Sequence, residues 1–439
     1  MEKMEPRTLP GFMELYPHEQ IEFDRIKNTI IDTYKKYGFY PLDTPIIEYS
    51  DVLLAKAGGE TEKQIYRFMK GENDLSLRFD LTVPLSKYVA KRHNELVFPF
   101  KRFQIGKVFR GERPQKGRYR EFYQCDIDVI GDEELSIRYD AEMPSIIYDI
   151  FTKLNIGDFV IRINNRKLLS GYFNNLGLKD KITDILRIID KIEKIGEEEV
   201  IKELSELGLN EDQIRRSLNF IKIEGTNQEI IETLKQMNIE DETFQKGIEE
   251  IESVINDLRA RRITTENYEI DLTIARGLDY YTGTVYETIL KDYPNLGSVC
   301  SGGRYDNLAE YYTDKKLPGV GISIGLTRLF YLLTEYNIIE TDKSSPSDIL
   351  IIPMCEDYEY IYEIKDLLLN LGITTNICYL DKGMKQKMKY ANKLRTKYVV
   401  IIGEDEVNNN TIVLKNMYEG IQFTLNREEI MNIKETYLF

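Results

Sequence analysis

The segment from Val108 to Gly131, VFRGERPQKGRYREFYQCDIDVIG, constrains the fold more than any other part of this 439-residue chain. Its first half places four arginines around a turn. Arginine suits phosphate groups because its planar guanidinium forms two parallel hydrogen bonds and keeps its charge. The second half alternates, and one face of the resulting strand would carry Phe122, Gln124, Asp126 and Asp128. The segment therefore predicts an anion site beside a polar pocket, with a solvated hairpin of mixed charge as the alternative.

Composition indicates a globular protein of two to three domains. Hydrophobic residues make up 42% of the chain and charged residues 30%, which is ordinary for a globular fold. Apolar runs fall short of the roughly 18 residues that a membrane helix needs. The N-terminal sequence also lacks the apolar core of a signal peptide. We therefore expect a cytoplasmic protein without a membrane partner.

Cysteine spacing and net charge narrow the possible ligands. The four cysteines are scattered, with no CxxC pair, and the chain has only two histidines. We therefore expect no protein-ligated zinc. The net charge of −15 argues against nonspecific coating of nucleic acid, but it permits a local basic surface for a particular RNA.

Hydrophobic spacing predicts several helices. Residues 19–37 have helical periodicity, and Gly38 would end that helix. The pattern LSLRFDLTVPL predicts a strand that leads into a helix near Pro84. Residues 166–262 contain no proline and are rich in glutamate, lysine and isoleucine, which predicts a helical module.

Changes in pattern divide the chain. Strand-like, glycine-punctuated sequence returns over about 266–330, and the segment 331–346 is interpreted as a linker. Strands and helices then alternate, which predicts a small α/β domain with a largely parallel sheet at 347–439.

Two short clusters could bind a small ligand. Asp80 and Thr82 would point to one face and could hold an ammonium group, although taken alone the pair favours a strand end with a helix cap. Arg276, Tyr280 and Tyr281 lie within a glycine-bounded segment. They offer a cation and two hydroxyls, with a surface hairpin of stacked aromatics as the alternative.

Two further patterns concern anions. Arg328 would lie one turn into a helix, near its electropositive end. No GxxxxGK[ST] motif occurs, so a P-loop is not predicted. Four lysines at spacings of three, four and four would follow one helical face, which suits a phosphate backbone or a simple solvated surface. They are Lys382, Lys385, Lys389 and Lys393.

Taken together, these segments resemble the histidyl-tRNA synthetases, in order and over nearly the whole chain. FRGERPQKGRYREFYQCDIDVIG resembles motif 2 of class II aminoacyl-tRNA synthetases, and GGRYDNL followed by PGVGISIGLTRL resembles motif 3. ARGLDYYTGTVYE resembles a signature of the histidine enzymes. Residues 40–54 resemble motif 1, which lies at the dimer interface in that class.

The resemblance implies an architecture. Residues 1–330 would form an α+β catalytic domain built on an antiparallel sheet, interrupted by the helical insertion at 166–262. Residues 347–439 would form an α/β anticodon-binding domain, and the protein would be a homodimer.

The resemblance also implies an activity, the ATP- and Mg²⁺-dependent ligation of L-histidine to tRNA(His) through histidyl-adenylate. The alternative is the noncatalytic, synthetase-like regulatory subunit of ATP phosphoribosyltransferase. That protein generally lacks the C-terminal domain and has lost catalytic residues, whereas this chain keeps Arg110, Arg276 and Arg328.

The resemblance assigns roles residue by residue, with Arg276 and Arg110 as the catalytic arginines. Histidine would be bound by Asp80, Thr82, Arg110, Gln124, Asp128, Arg276, Tyr280 and Tyr281. ATP would be bound by Arg110, Glu112, Arg118, Phe122 and Arg328. Candidate contacts to the tRNA acceptor end are Arg113, Gln115 and Arg120. Candidates on the anticodon side are Lys382, Lys385, Lys389 and Lys393.

Overall fold

The structure, a computed structural model, describes residues 3–54, 59–113, 116–275, 281–307, 309–341 and 345–438. Two compact units are present, one of residues 1–13 and 27–338 and the other of residues 14–26 and 339–439. Residues 14–26 thus group with the C-terminal part, which the sequence did not predict. Helix α1 (Pro17–Lys36) ends just before Gly38, whose φ of +78° favours glycine, as predicted.

An eight-stranded sheet forms the centre of the first unit, in the order β1-β5-β6-β11-β10-β9-β7-β8. Its strands are β1 (Tyr40–Pro41), β5 (Phe100–Phe109), β6 (Glu121–Ile130), β7 (Phe159–Asn165), β8 (Tyr268–Ile270), β9 (Thr284–Leu290), β10 (Cys300–Tyr305) and β11 (Gly319–Gly325). The inner pairs are antiparallel and the two outermost pairs are parallel. The predicted antiparallel α+β architecture is confirmed.

A small antiparallel sheet and several helices complete this part of the first unit. The sheet consists of β2 (Ile47–Tyr49), β3 (Arg67–Lys70) and β4 (Asn73–Leu77). The helices are α2 (Ser50–Leu54), α3 (Gly59–Gln64), α4 (Thr82–Arg92) and α5 (Arg138–Leu154). Helix α5 packs against β10 and β11, because one of its faces is apolar and fully buried.

The proline-free segment is helical. Its helices are α6 (Arg166–Asn175), α7 (Ile182–Ile189), α8 (Ile192–Ile195), α9 (Glu197–Glu206), α10 (Glu211–Ile221), α11 (Asn227–Gln236) and α12 (Glu242–Ala260). Helix α12 packs against α5 and α6, and its apolar residues at helical spacing are buried, as their periodicity predicts.

Helix α13 (Leu326–Glu335) extends into the segment interpreted as a linker. Leu332 and Leu333 are buried on this helix, so burial of its apolar face carries the helix past residue 330. The linker interpretation therefore fails for residues 331–335.

The second unit contains a five-stranded sheet in the order β13-β12-β14-β15-β16. Its strands are β12 (Ile349–Pro353), β13 (Thr375–Ile377), β14 (Tyr398–Ile402), β15 (Thr411–Asn416) and β16 (Gln422–Asn426). The pairs β12·β13 and β12·β14 are parallel, but β14·β15 and β15·β16 are antiparallel. The predicted largely parallel sheet is therefore only half right, because the last connections are too short for parallel crossovers.

Helices cover the second sheet. They are α14 (Tyr358–Asn370), α15 (Met384–Lys393), α16 (Glu404–Asn409), α17 (Arg427–Met431) and α18 (Ile433–Thr436). The core between α14 and the sheet includes Ile351, Ile361, Ile364 and Val400. Within the described parts of the chain, no helix is long and apolar enough to cross a membrane.

Candidate active site

A cavity of about 520 Å³ lies over β6, β10 and β11 in the first unit. Residues paired across neighbouring strands point to the same face of a sheet, so the strand register arranges the cavity floor in rows. One row contains Gly106, Gln124 and Gly325. The next contains Gln104, Asp126, Ser323, Ser301 and Glu287. A third contains Arg102, Asp128, Gly321, Gly303 and Val285.

Glycines in the third row make room for two predicted histidine-binding side chains. A Cβ on Gly321 would lie 2.2 Å from Oδ1 of Asp128, and one on Gly303 would lie 2.8 Å from the Tyr281 ring. Both distances are too short for non-bonded atoms. The absence of side chains here therefore lets Asp128 and Tyr281 occupy their positions.

Asp128 is held by a buried arginine and a tyrosine. Its Oδ2 lies 2.6 Å from Nη2 of Arg102, and its Oδ1 accepts a 2.8 Å hydrogen bond from the Tyr305 hydroxyl. Burial raises the pKa of Asp128, while Arg102 and Tyr305 oppose that rise. Both partners escaped the sequence analysis, because they belong to strands distant in sequence from Asp128.

Among the described residues, two neighbouring acceptors in the floor lack protein partners. Gln124 donates through Nε2 to the Ser323 hydroxyl at 2.9 Å, and Ser323 is paired with Asp126 across β6 and β11. Oε1 of Gln124 and Oδ1 of Asp126 are buried without a hydrogen-bond partner among the described residues. These acceptors suit a ligand that carries N–H donors.

Asp80 lines the same cavity and also caps a helix. Its Oδ1 accepts the backbone N–H groups of Thr82 at 3.1 Å and Val83 at 2.9 Å, in the first turn of α4. Burial raises the pKa of Asp80, and these two bonds and the nearby Arg110 lower it. The capping role thus falls to Asp80, since Thr82 is the first residue of α4, and the Asp80 carboxylate stays beside the ligand space.

The predicted ATP contacts also line this cavity. The Arg110 guanidinium lies 4.3 Å from the centre of the Phe79 ring and 5.1 Å from that of Phe122. Arg118 lies 4.0 Å from Glu112, and Arg328 is the third residue of α13, near its N-terminus. Arginine and phenylalanine side chains therefore lie together at this cavity. The arginines suit a phosphate group, and the phenylalanine ring suits a flat base.

The other predicted residues are either outside the described residues or absent from the cavity lining. Arg276, Tyr280 and Gln115 fall outside the described residues. Arg113 and Arg120 do not line the cavity. Arg120 instead donates through Nε to the Glu112 carbonyl oxygen at 2.9 Å, which stabilises the loop between β5 and β6.

The lysine row lies on the solvent face of α15 and the turn before it. All four of its residues, Lys382, Lys385, Lys389 and Lys393, are exposed. Lys387, between them, instead donates to the Pro353 carbonyl oxygen at 2.6 Å, while Ala391 is buried.

Several cavity residues were missed from the sequence. Asp126 was noted only as part of the alternation, and Tyr305 only as part of GGRYDNL. Asp190, at the end of α7, brings a carboxylate from the helical insertion into the cavity wall. No local pattern distinguishes Asp190 from the many other acidic residues of that segment.

The antiparallel sheet and the cavity on its face have the architecture of a class II aminoacyl-tRNA synthetase. A family model described as "Histidyl-tRNA synthetase" matches residues 11–329, and one described as "Anticodon binding domain" matches residues 348–435. The chain is 56% identical to the "Histidine--tRNA ligase" of Clostridium tetani, over 98% of this chain and 98% of that one. It is 49% identical to that of Finegoldia magna, over 98% and 99%. The chain belongs to the histidyl-tRNA synthetase family.

Solved structures agree with this family membership. A crystal structure of histidyl-tRNA synthetase from Nostoc has a TM-score of 0.92 and 40% identity, and the match covers 99% of this chain and all of that one. A structure titled as an ATP phosphoribosyltransferase regulatory subunit/histidyl-tRNA synthetase, from Bacillus halodurans, has a TM-score of 0.75 at 18% identity. That second likeness concerns the fold alone.

Proposed function

We propose that this protein ligates L-histidine to tRNA(His), using ATP and passing through histidyl-adenylate. The observation that carries the proposal is the composition of one cavity, which combines a carboxylate cluster with three arginines. The carboxylates Asp80, Asp126 and Asp128 suit the cationic parts of histidine. The arginines Arg110, Arg118 and Arg328 suit the ATP phosphates.

The alternative of a noncatalytic regulatory subunit is not favoured. The chain matches a histidine--tRNA ligase at 56% identity over 98% of its length. It also has the anticodon-binding domain that the regulatory subunit generally lacks.

The chemistry follows from the charges. The histidine carboxylate attacks the ATP α-phosphorus, the bond to the bridging oxygen breaks, and pyrophosphate leaves. Negative charge on the phosphoryl oxygens would be stabilised by Arg110 and Arg276. No base is needed to activate the carboxylate, because it is already ionised at neutral pH. A ribose hydroxyl of the tRNA 3′-terminal adenosine then takes the histidyl group, and AMP leaves.

Residue roles follow the same division. Histidine binding is assigned to Asp80, Thr82, Arg110, Gln124, Asp128, Arg276, Tyr280 and Tyr281. ATP binding is assigned to Arg110, Glu112, Arg118, Phe122 and Arg328. The position of most of these residues around one cavity supports the assignment. Arg113, Gln115 and Arg120 stay candidates for the tRNA acceptor end.

Mg²⁺ would accompany ATP and supply charge neutralisation at the phosphates. Among the described residues, no group of three or more His, Cys, Asp or Glu side chains is placed to hold a metal ion. This donor set suits an ion that is bound mainly through substrate phosphates and water, as Mg²⁺ commonly is. Cavity carboxylates such as Glu112 and Glu287 could add a ligand.

The second unit would bind the anticodon side of the tRNA. Its exposed lysine row supplies local positive charge on a chain whose net charge is −15. The exposed tyrosines Tyr362 and Tyr379 of the same unit add aromatic surface for unpaired bases. We retain 1–330 as the catalytic domain with its 166–262 insertion, and 347–439 as the anticodon-binding domain.

A homodimer in the cytoplasm completes the proposal. Apolar side chains are exposed within and beside the motif 1 segment, and they support a contact surface there. They are Tyr40, Ile46, Ile47, Tyr49, Phe68 and Met69.

Histidine-dependent exchange of pyrophosphate into ATP tests the first step without tRNA. We expect exchange with histidine and none with phenylalanine, because the buried acceptors would be left unpaired by an apolar ring. Charging of tRNA(His) then tests the second step. Absence of exchange with histidine would reject the proposed function.

A further inference from the structure

Asp126 belongs to the carboxylate cluster of the cavity but has no individual role in the assignment above. It is 2% exposed, lies in the cavity lining, and has one oxygen, Oδ1, without a partner among the described residues. Ser323, the partner of Asp126 across β6 and β11, lowers the pKa of Asp126. A buried acceptor that lacks a partner, on a side chain that lines a ligand cavity, is costly unless a ligand supplies a donor.

We propose that Asp126 determines specificity by accepting a hydrogen bond from a ring N–H of the bound histidine, so that the enzyme binds the protonated imidazole in preference to a neutral ring. The inference rests on the proposed function and adds one residue to its specificity pocket.

The order of residues along β6 favours the ring over the α-ammonium group. Phe122, Gln124, Asp126 and Asp128 follow one another on one face, roughly 6.8 Å apart. ATP is assigned to the end with Phe122 and Arg110. The reacting carboxylate and its neighbouring ammonium group must therefore lie near that end, by Gln124 and Asp80. The imidazole ring extends away from ATP, toward Asp126.

The charged surroundings of Asp126 leave room for a cation. Arg102 from β5 favours its ionised form, whereas Asp128 from β6 and Asp80 from the turn before α4 disfavour it. Other ionisable groups in electrostatic reach are Arg78, Tyr34, Cys125 and Cys300. Burial dominates and raises the pKa of Asp126 to about 7. An imidazolium would compensate the buried carboxylate.

A proton shared by Asp126 and the ring makes binding depend on pH in both directions. Free Asp126 has a pKa of about 7, and an unperturbed imidazole has one of about 6.5. Above both values the two partners are deprotonated, so forming the pair takes up a proton and affinity falls as the pH rises. Below both values each partner holds a proton, so binding releases one and affinity falls as the pH drops. Histidine affinity should therefore peak near neutrality.

The test replaces Asp126 by its uncharged isostere and varies the basicity of the ring. Pyrophosphate exchange is measured with histidine and with β-(1,2,4-triazol-3-yl)alanine, whose ring has a similar size but is far less basic. We expect the wild type to prefer histidine in kcat/KM by at least about tenfold, as for one charge-assisted hydrogen bond. Asp126→Asn should remove most of this preference by raising KM for histidine, with a smaller effect on kcat. Asp184→Asn, at an exposed carboxylate of α7, is the matched control and should retain the preference.

Calorimetry of the wild type gives a second test that needs no variant. Histidine binding at pH 8, in buffers of different ionisation enthalpy, should take up nearly one proton, and Asp126→Asn should take up none. Two results would overturn the inference. One is histidine binding to the wild type without proton uptake. The other is an Asp126→Asn variant whose kcat/KM changes equally for histidine and for the triazolyl analogue. Failure of the proposed function is distinguishable, since the wild type would then show no histidine-dependent exchange at all.

Discussion

At the scale of single residues, the cavity depends on absent side chains as much as on present ones. Gly321 faces Asp128 across β6 and β11. A methyl group at Gly321 would lie 2.2 Å from Asp128 Oδ1 and 2.5 Å from the Ile127 carbonyl oxygen. Neither atom can withdraw easily, because Arg102 and Tyr305 hold the carboxylate and the carbonyl belongs to the sheet.

Gly321→Ala should therefore raise KM for histidine by at least about tenfold and destabilise the fold by about 1–3 kcal/mol, the usual cost of overpacking. Gly325→Ala is the matched control for stability, since its Cβ would meet nothing closer than 3.8 Å. Thermal unfolding and pyrophosphate exchange measure the two effects. Equal stability of both variants would show that the floor is not closely packed.

Arg276 carries a prediction that rests on the resemblance, because it lies outside the described residues. Its charge would act on the developing phosphoryl oxyanion more than on the ground state. Arg276→Ala should therefore lower kcat for adenylate formation by at least about a hundredfold, with a much smaller effect on histidine affinity. A near-normal kcat with a large rise in KM would contradict a catalytic role.

The sequence predicts some residues of the cavity and misses others, for a physical reason. Gln124 and Asp128 were found because side-chain alternation along one strand is a local property. Arg102 and Tyr305 were not found, because they meet Asp128 only through strand pairing between β5, β6, β11 and β10. Asp80 was found with both of its interpretations, and the structure shows that a helix cap and a cavity wall coincide.

At the scale of elements, a buried ion pair fixes α5 to the sheet. Oδ1 of Asp140 lies 2.6 Å from Nη2 of Arg304, and the Thr284 hydroxyl donates to Oδ2 of Asp140 at 2.7 Å. Arg304 belongs to β10, whose next residue is Tyr305 at the cavity floor. The pair thus links the start of α5 to the strand that carries Tyr305.

Arg304→Met should destabilise the protein by about 3–5 kcal/mol, because it leaves the Asp140 carboxylate buried and unpaired. Arg138→Met is the matched control, since its pair with Asp257 is 3.6 Å long and its own side chain is 77% exposed. That variant should change stability little. Urea unfolding compares them, and equal midpoints would show that the Arg304 pair contributes nothing.

The lysine row gives a prediction for α15. Lys385→Glu with Lys389→Glu should raise KM for tRNA and weaken its dependence on salt, because fewer counterions are released on binding. Pyrophosphate exchange should hardly change, since it needs no tRNA. Lys397→Glu with Lys415→Glu changes the charge of the same unit equally, at residues outside α15. If the Lys385→Glu, Lys389→Glu variant charges tRNA normally at physiological salt, the lysine row is only a solvated face.

The sequence predicted helices and strands correctly where local interactions determine them. Helix α12 lies within the segment predicted to be helical, because its apolar period is regular and Asp241 caps its start. The second sheet was predicted too parallel, since the direction of β15 and β16 depends on connection length and partner choice rather than on strand composition. Helix α13 overran the predicted linker for a similar reason, because burial of Leu332 and Leu333 depends on tertiary packing.

At the scale of the whole molecule, exposed apolar side chains of the small three-stranded sheet support the proposed homodimer. Strand β3 is exposed along its length, and Phe68 and Met69 are 39% and 64% exposed. Strand β2, which β4 separates from β3, carries exposed Ile47 and Tyr49 on the motif 1 segment. Strand pairing puts Phe68 on the same face as these two residues and Met69 on the opposite face. Exposed apolar side chains on two strands of one small sheet are typical of a contact surface between subunits.

Phe68→Glu with Met69→Glu should convert the proposed homodimer to a monomer, because each buried carboxylate would lose its hydration without gaining a partner. Sedimentation velocity at micromolar concentration measures the change. Met431→Glu, at a 50% exposed methionine of the second unit, is the control and should leave the dimer intact. Both variants change exposed residues, so we expect neither to unfold the chain. Thermal unfolding then separates loss of the dimer from loss of the fold. A wild-type protein that sediments as a monomer would remove the homodimer from the proposal, while a dimer that survives the double substitution would place the interface elsewhere on the surface.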